Sequence, residues 1–306
     1  MARDISPDHP SESPERESSS VRSRHHRDRF ELSEISRPSE DSRSGAERLS
    51  FEPREPLDTP RAYYLGRNVY LLRASELGTL AVIGTFRTVL AADLDRFAYG
   101  GDTRRMEREL RRLRGASLVS EHRVPVSRES TARLFALTRK GARLAQRAAA
   151  VPEEQVLFHG FVRPREANHD ALLYRLYHAE ARRIAEAGGR VARVVLDYEL
   201  KRDLNRELAA LPQGEQSASA RETIARRHGL AVVNGKIPVP DMRIEYDTAD
   251  MERSRLDVEL ATRNYRPQAL AAKARAGFSL YALRQDVSGL RRILDEQEIT
   301  AAVVSL

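Results

Sequence analysis

Residues 237–273, IPVPDMRIEYDTADMERSRLDVELATRNYRPQALAAK, constrain this chain more than any other stretch. Two alternating runs, a short acidic turn and a helical segment follow one another, the pattern of a β-hairpin leading into a helix. Folding the hairpin about Asp250 sets Asp247 opposite Arg253, Glu245 opposite Arg255 and Arg243 opposite Asp257. Opposite charges facing each other across an antiparallel pair stabilise it and like charges do not, so this is the register predicted. One step further along, the same register puts Asp241 beside Glu259, two carboxylates with no partner inside the hairpin. Such a pair repels unless a cation compensates it.

The oxygen donors of Asp241 and Glu259 are of the kind Mg²⁺ or Mn²⁺ prefers, so the hairpin isolates one candidate metal site. The alternative is an acid pair that is solvated, or answered by an arginine from elsewhere. Arginine is plentiful: Lys and Arg total 52, only four of them lysine (Lys140, Lys201, Lys236 and Lys273), and the formal charge is +7 with a pI near 9.8. That excess points to an acidic partner, most directly double-stranded DNA. The absence of cysteine excludes a disulfide framework, Cys-ligated zinc and a thiol nucleophile. No apolar run approaches the roughly 18 residues of a membrane span, and the N-terminal residues lack the apolar core of a signal peptide. The expectation is a soluble cytoplasmic protein with no membrane partner.

The 306 residues suggest about two domains. Residues 1–60 are rich in Ser, Arg, Glu, Asp and Pro, too polar to offset the entropy of ordering, and are predicted to be a disordered tail. Residues 61–150 change to amphipathic helices, Ala74–Phe86 and Val89–Tyr99, the second ended by Gly100-Gly101. Asp102 then caps a third helix, TRRMERELRRLRG, with Met106, Leu110 and Leu113 as its buried stripe. Arg104, Arg105, Arg108, Arg111 and Arg112 project to the opposite side. Two strands follow, Leu118–Val126 and Thr131–Leu137, and then LTRKGARLAQRAAA, a closing helix. Three helices and a two-stranded wing describe a winged helix-turn-helix. Its arginine-faced helix is placed to enter a major groove, and Arg123, Arg128 and Arg133 of the wing are placed to reach phosphate or the minor groove. A solvated charged face, or a module that forms a homodimer, is the alternative. Tyr63 and Tyr64 are expected at the edge of this core.

After a linker near 151–155, residues 155–306 read as a helix from about Glu166, a strand RVARVVLD, two inserted helices, the acidic hairpin, a helix over Arg266–Leu283, another over Val287–Asp295 and a final strand. Without the insertion the order is α-β-β-β-α-β, and the fold class is α+β. His169-Asp170 invites comparison with a metal-dependent phosphohydrolase dyad, but the further helical aspartate is missing. His169 is expected to be a buried histidine beside Leu173 and Leu176.

This order, with Pro240-Asp241 opening one strand and Asp257-Val258-Glu259 on the next, resembles the PD-(D/E)xK nuclease-like, or restriction-endonuclease-like, fold. Joined to a winged helix it is similar to the replication-relaxation family of plasmids and integrative elements. The matching residues are Pro240-Asp241, Glu259, Thr262, the helix carrying Lys273, Tyr281 and the segment led by Glu199. The resemblance implies DNA binding in replication, relaxation or mobilisation of a mobile element, with relaxosome or replication proteins as further partners. In its catalytic form it implies a Mg²⁺-dependent endonuclease or nickase using Asp241, Glu259 and a lysine. The motif places that lysine two residues after Glu259, where this chain has Ala261, so Lys273 is the candidate migrated amine, with Glu166 or Glu180 as an auxiliary acid. A third expectation is a winged-helix transcriptional regulator.

Overall fold

The computed structural model describes residues 59–125, 131–148, 150–162, 164–212, 217–263 and 265–306, all within one unit spanning residues 45–306. The predicted tail, apart from Thr59 and Pro60, and the wing residue Arg128 lie outside the described residues.

The described chain opens as an antiparallel hairpin, β1 (Arg61–Leu65) and β2 (Asn68–Leu72), joined by the two-residue turn Gly66-Arg67. This hairpin replaces the helix expected from about Tyr63. Alternate residues point to opposite faces of a strand. Tyr63 therefore pairs with Tyr70 on the inner face against the core, while Tyr64 pairs with Val69 outside and is 60% exposed. Only Tyr63 is an edge of the core.

Helix α1 (Ala74–Thr85) is buried on nearly every side, with Leu80, Ala81, Val82 and Ile83 almost inaccessible. A short strand β3 (Val89–Leu90) and helix α2 (Ala91–Ala98) precede α3 (Thr103–Gly115), which Asp102 caps by accepting the Arg105 backbone N–H at 2.9 Å. Strands β4 (Val119–Pro125) and β5 (Thr131–Leu137) are antiparallel, and β3 adds to the other edge of β5. Helix α4 (Arg139–Arg147) starts where Thr138 Oγ1 accepts the Gly141 N–H at 3.0 Å. Gly141 has no substitute there, because a Cβ would lie 2.1 Å from the Leu118 carbonyl oxygen. The cap and the close approach together account for the Leu137-Thr138…Gly141 motif.

Gln155, in the expected linker, is buried and pairs by side chain with both backbone groups of Val194 (2.9 and 3.0 Å), satisfying a strand edge. Helix α5 (Pro164–Glu186) follows, then β6 (Arg190–Leu196) and the inserted helices α6 (Asp197–Ala209) and α7 (Ala218–Arg227). The predicted hairpin is β7 (Met242–Asp247) and β8 (Arg253–Ala261), in the register the charges dictate: Asp247 opposite Arg253, Glu245 opposite Arg255, Arg243 opposite Asp257.

The helix expected over Arg266–Leu283 is shorter. Helix α8 (Pro267–Arg275) ends at Gly277, whose φ of +85° suits glycine alone among common residues. The chain then forms β9 (Ser279–Ala282), which lies parallel to β8. Helix α9 (Val287–Glu296) leads to β10 (Val303–Ser305), parallel to β9. The resulting five-stranded sheet has the order β10-β9-β8-β7-β6, antiparallel on one side and parallel on the other. Helices serve as the crossovers that parallel neighbours require.

The described chain is thus a mixed α+β structure. Leu173, Tyr174 and Tyr177 of α5 belong to the same hydrophobic cluster as Ile244, Val258 and Leu260 of the sheet, and that cluster continues into Leu80, Phe86 and Leu113 of the first half. Ala261, Leu270, Leu280 and Leu290 form a separate cluster with α8 and α9. Glu259, flanked by Val258 and Leu260, consequently points to the α8 side.

Candidate functional site

Two groups of charged residues stand out, one buried at the hairpin and one exposed on α3. The buried group begins with the acid pair. Asp241 immediately precedes β7, and its backbone N–H donates to Glu259 Oε2 at 3.2 Å, so the two acids are neighbours as the register requires. The expectation that they have no internal partner is corrected. Lys273, one helix further on, donates to Glu259 Oε2 at 2.8 Å and to the Val239 carbonyl. Tyr265 donates its hydroxyl to Glu259 Oε1. Asp241 Oδ2 accepts the Leu260 N–H at 2.9 Å and lies 3.2 Å from His169 Nε2. The cationic compensation demanded by the acid pair comes from Lys273 and His169.

Helix geometry explains the reach. Pro267 opens α8 without sacrificing a hydrogen bond, and Leu270 and Ala271 bury the helix, leaving Lys273 directed back toward the end of β7. His169 is half-buried rather than a core residue, set between Asp241 and Asp170, whose Oδ1 is 3.6 Å from His169 Nδ1. Arg87, from the loop after α1, approaches Asp170 at 3.3 Å and Asp197 at 3.2 Å. The charges alternate in sign from Arg87 through to Lys273.

Protonation follows from this packing. Burial, then the Asp241 charge, push the Glu259 carboxyl up to about 7 against the opposing pull of Lys273 and Tyr265. For Asp241 burial acts upward too, but the hydrogen bond and charge of His169 outweigh it and hold the group below its ordinary value. Burial alone would lower His169, yet its two carboxylate neighbours raise it to about 10.

A divalent metal fits this donor set poorly. Mg²⁺ takes about six oxygens in near-octahedral array. Here three of the four carboxylate oxygens already face protein donors, and two of those donors are cations. Among the described residues no group of three or more His, Asp or Glu side chains could hold a metal. Neither suggested auxiliary acid joins the pair: Glu180 is buried and accepts from Tyr281 at 2.6 Å and Arg183 at 2.9 Å, and no contact links Glu166 to it among the described residues. Glu199 is also buried, ion-paired with Arg193.

The exposed group is the outer surface of α3. Met106, Glu109, Leu110 and Leu113 are buried, and Arg104, Arg108 and Arg111 lie directly opposite them at i, i+4, i+7. These three are exposed, and no acidic residue pairs with them among the described residues. The flanking arginines differ. Arg105 is 3.1 Å from Glu109, Arg112 is 3.4 Å from Glu76 and donates to the Leu71 carbonyl, and Arg133 of β5 is 2.6 Å from Glu107 and 3.2 Å from Glu121. Arg123 is mostly exposed, 3.8 Å from Glu121. The sequence pattern put five arginines on one face; packing divides them into a central stripe and internally paired flanks.

No protein-family model matches this chain, and neither does any curated protein. Among the described residues no helix is long and apolar enough to cross a membrane.

Proposed function

We propose that this chain is a DNA-binding protein of a plasmid or integrative element. In this reading residues 61–150 are a winged helix that engages duplex DNA, and residues 155–306 are a restriction-endonuclease-like domain kept for binding and assembly. The observation that carries it is the stripe of Arg104, Arg108 and Arg111. Three guanidiniums at successive turns of a capped, well-packed helix, with no acid answering them, match phosphates spaced along a groove edge. The α-β-β-β-α-β order and the Asp241–Glu259–Lys273 triad support the likeness to the replication-relaxation family, which is where replication, relaxation or mobilisation enters.

Binding to a labelled duplex, measured by anisotropy between about 0.05 and 0.2 M salt, tests this. Neutralised phosphates release counterions, so affinity is expected to fall steeply as salt rises. An affinity indifferent to salt would remove the basis of the reading.

A second reading, a metal-dependent nickase, rests on one observation: the Lys273 amine lies 2.8 Å from Glu259, next to Asp241. The residues the motif requires are together despite Ala261. Against it stands the saturation of the carboxylates by protein donors. Supercoiled plasmid incubated with Mg²⁺ or Mn²⁺ separates the two: nicking that Lys273→Ala abolishes makes the protein an enzyme, and intact plasmid with intact duplex binding leaves it a binder.

A further inference from the structure

The β1–β2 hairpin carries an apolar surface that the core does not use. Tyr64, Val69 and Leu71 are 60%, 55% and 61% exposed, and all three lie on the outer face, with Tyr64 directly across from Val69. Surface aromatic and aliphatic residues are common singly, but a cross-strand group on one flat ribbon marks a contact surface. Its surroundings are uniformly basic. No acidic residue occurs in 59–75 or in 131–150, the segments that form the hairpin and α4. At the turn, Leu65 and Gly66 face Arg143 and Arg147 of α4 across an open hollow of about 700 Å³.

We propose that this hairpin and hollow form a second nucleic-acid contact, for single-stranded DNA, distinct from the stripe on α3. The proposal rests on the DNA-binding reading and adds a substrate form to it. In a duplex the base faces are stacked on one another and only edges and backbone are offered. An unpaired strand offers the base faces themselves, which stack on aromatic side chains, alongside phosphates that pair with arginine. Tyr64 supplies the stacking platform, Val69 and Leu71 widen it, and Arg143 and Arg147 receive the adjoining phosphates. A second copy of this chain fits less well. A two-fold contact through this face would bring one basic, acid-free surface against another, whereas a polyanion is complementary to it.

The chain contains no tryptophan, so Tyr64→Trp places a single indole on the platform in the full-length protein. Titration with an unpaired oligonucleotide is expected to quench its emission, more weakly as salt rises. Tyr64→Ser and, separately, Arg143→Glu are each expected to weaken single-strand binding about tenfold, with duplex binding unchanged. Both sites are exposed, so the thermal transition of each variant should match the parent. Quenching that persists after Arg104, Arg108 and Arg111 are all changed to Glu shows the two contacts are separate. Unaltered single-strand affinity in both variants overturns this inference alone, provided duplex binding still depends on the α3 stripe. Emission that instead tracks protein concentration without DNA assigns the face to a second copy and also overturns it. A wild type that binds neither DNA form ends both readings.

Discussion

The α3 surface and the hairpin acid cluster are both built from charged residues, yet they treat charge in opposite ways. On α3 the cations at the centre, Arg104, Arg108 and Arg111, are left to solvent without an acidic partner among the described residues. At the cluster Asp241 and Glu259 are removed from water and each is given a cation and a backbone or hydroxyl donor. A buried charge without a partner costs several kcal/mol, so the fold must satisfy it internally. An exposed charge costs almost nothing to leave open and so remains available to another molecule. The difference separates residues that serve the fold from residues offered outward.

Breaking the outward side should give the largest effect. Changing Arg104, Arg108 and Arg111 together to Glu is expected to lower duplex affinity on the order of a thousandfold and to reduce the salt slope by about three. Because the stripe has no internal acidic partner, thermal melting should move little. Unchanged anisotropy curves in the triple variant would sink the assignment of α3.

Breaking the inward side should act on stability. Lys273→Ala leaves Glu259 buried beside Asp241 without its ammonium, a loss of about 3 kcal/mol by denaturant unfolding near pH 8. The loss should shrink toward pH 5, where Glu259 can take up a proton instead of carrying an unpaired charge. A pH-independent loss would mean that Lys273 acts by packing its stem, not its charge.

The wild-type pH profile sharpens the same contrast. The raised pKa of Glu259 means the folded state holds that proton more tightly than the unfolded chain does. Its contribution to stability therefore declines as pH rises from about 4.5 to about 7. His169 is raised from 6.5 to about 10, so its contribution is complete below 6.5 and fades as pH passes 10. Glu259→Gln should flatten the first interval and His169→Asn the second, read by chemical denaturation at fixed pH. Smallest of all, Arg112→Ala on the flank of α3 should cost about 1 kcal/mol of stability while changing duplex affinity far less than the central stripe does.

Much of this was legible in the residues. The hairpin register could be read from three charge pairs because side-chain alternation leaves no other pairing that matches signs. Asp102, Thr138 and Gly141 announced their helix starts by local chemistry that tertiary contacts do not override. The β1–β2 hairpin was not legible, since Tyr63, Leu65, Tyr70 and Leu72 are apolar on one face and Tyr64, Val69 and Leu71 on the other, so the period-2 signal vanishes. The Gly66-Arg67 turn was the remaining cue. The segment after α8 misled for a related reason: its residues suit a helix or a buried parallel strand equally, and Gly277 alone marks the change. The role of His169 had no local signature. Its partner Asp241 is 72 positions away, and only the docking of α5 on the sheet edge joins them.

Arg87 carries one more implication. It takes a left-handed backbone conformation (φ +64°), unfavourable for an arginine, and spreads its guanidinium over the Phe158 and Tyr198 rings between Asp170 and Asp197. With Arg175 on Asp93 and the Phe158 N–H on the Gly84 carbonyl, it bolts the first half to the second at several separate points. A joint fixed in this way does not swivel. A duplex seated on α3 would meet the sheet edge at one angle and one separation, set when the chain folds and not when the ligand arrives. The protein would behave as a ruler, and the stretch of DNA it covers would have the same length on every sequence it occupies.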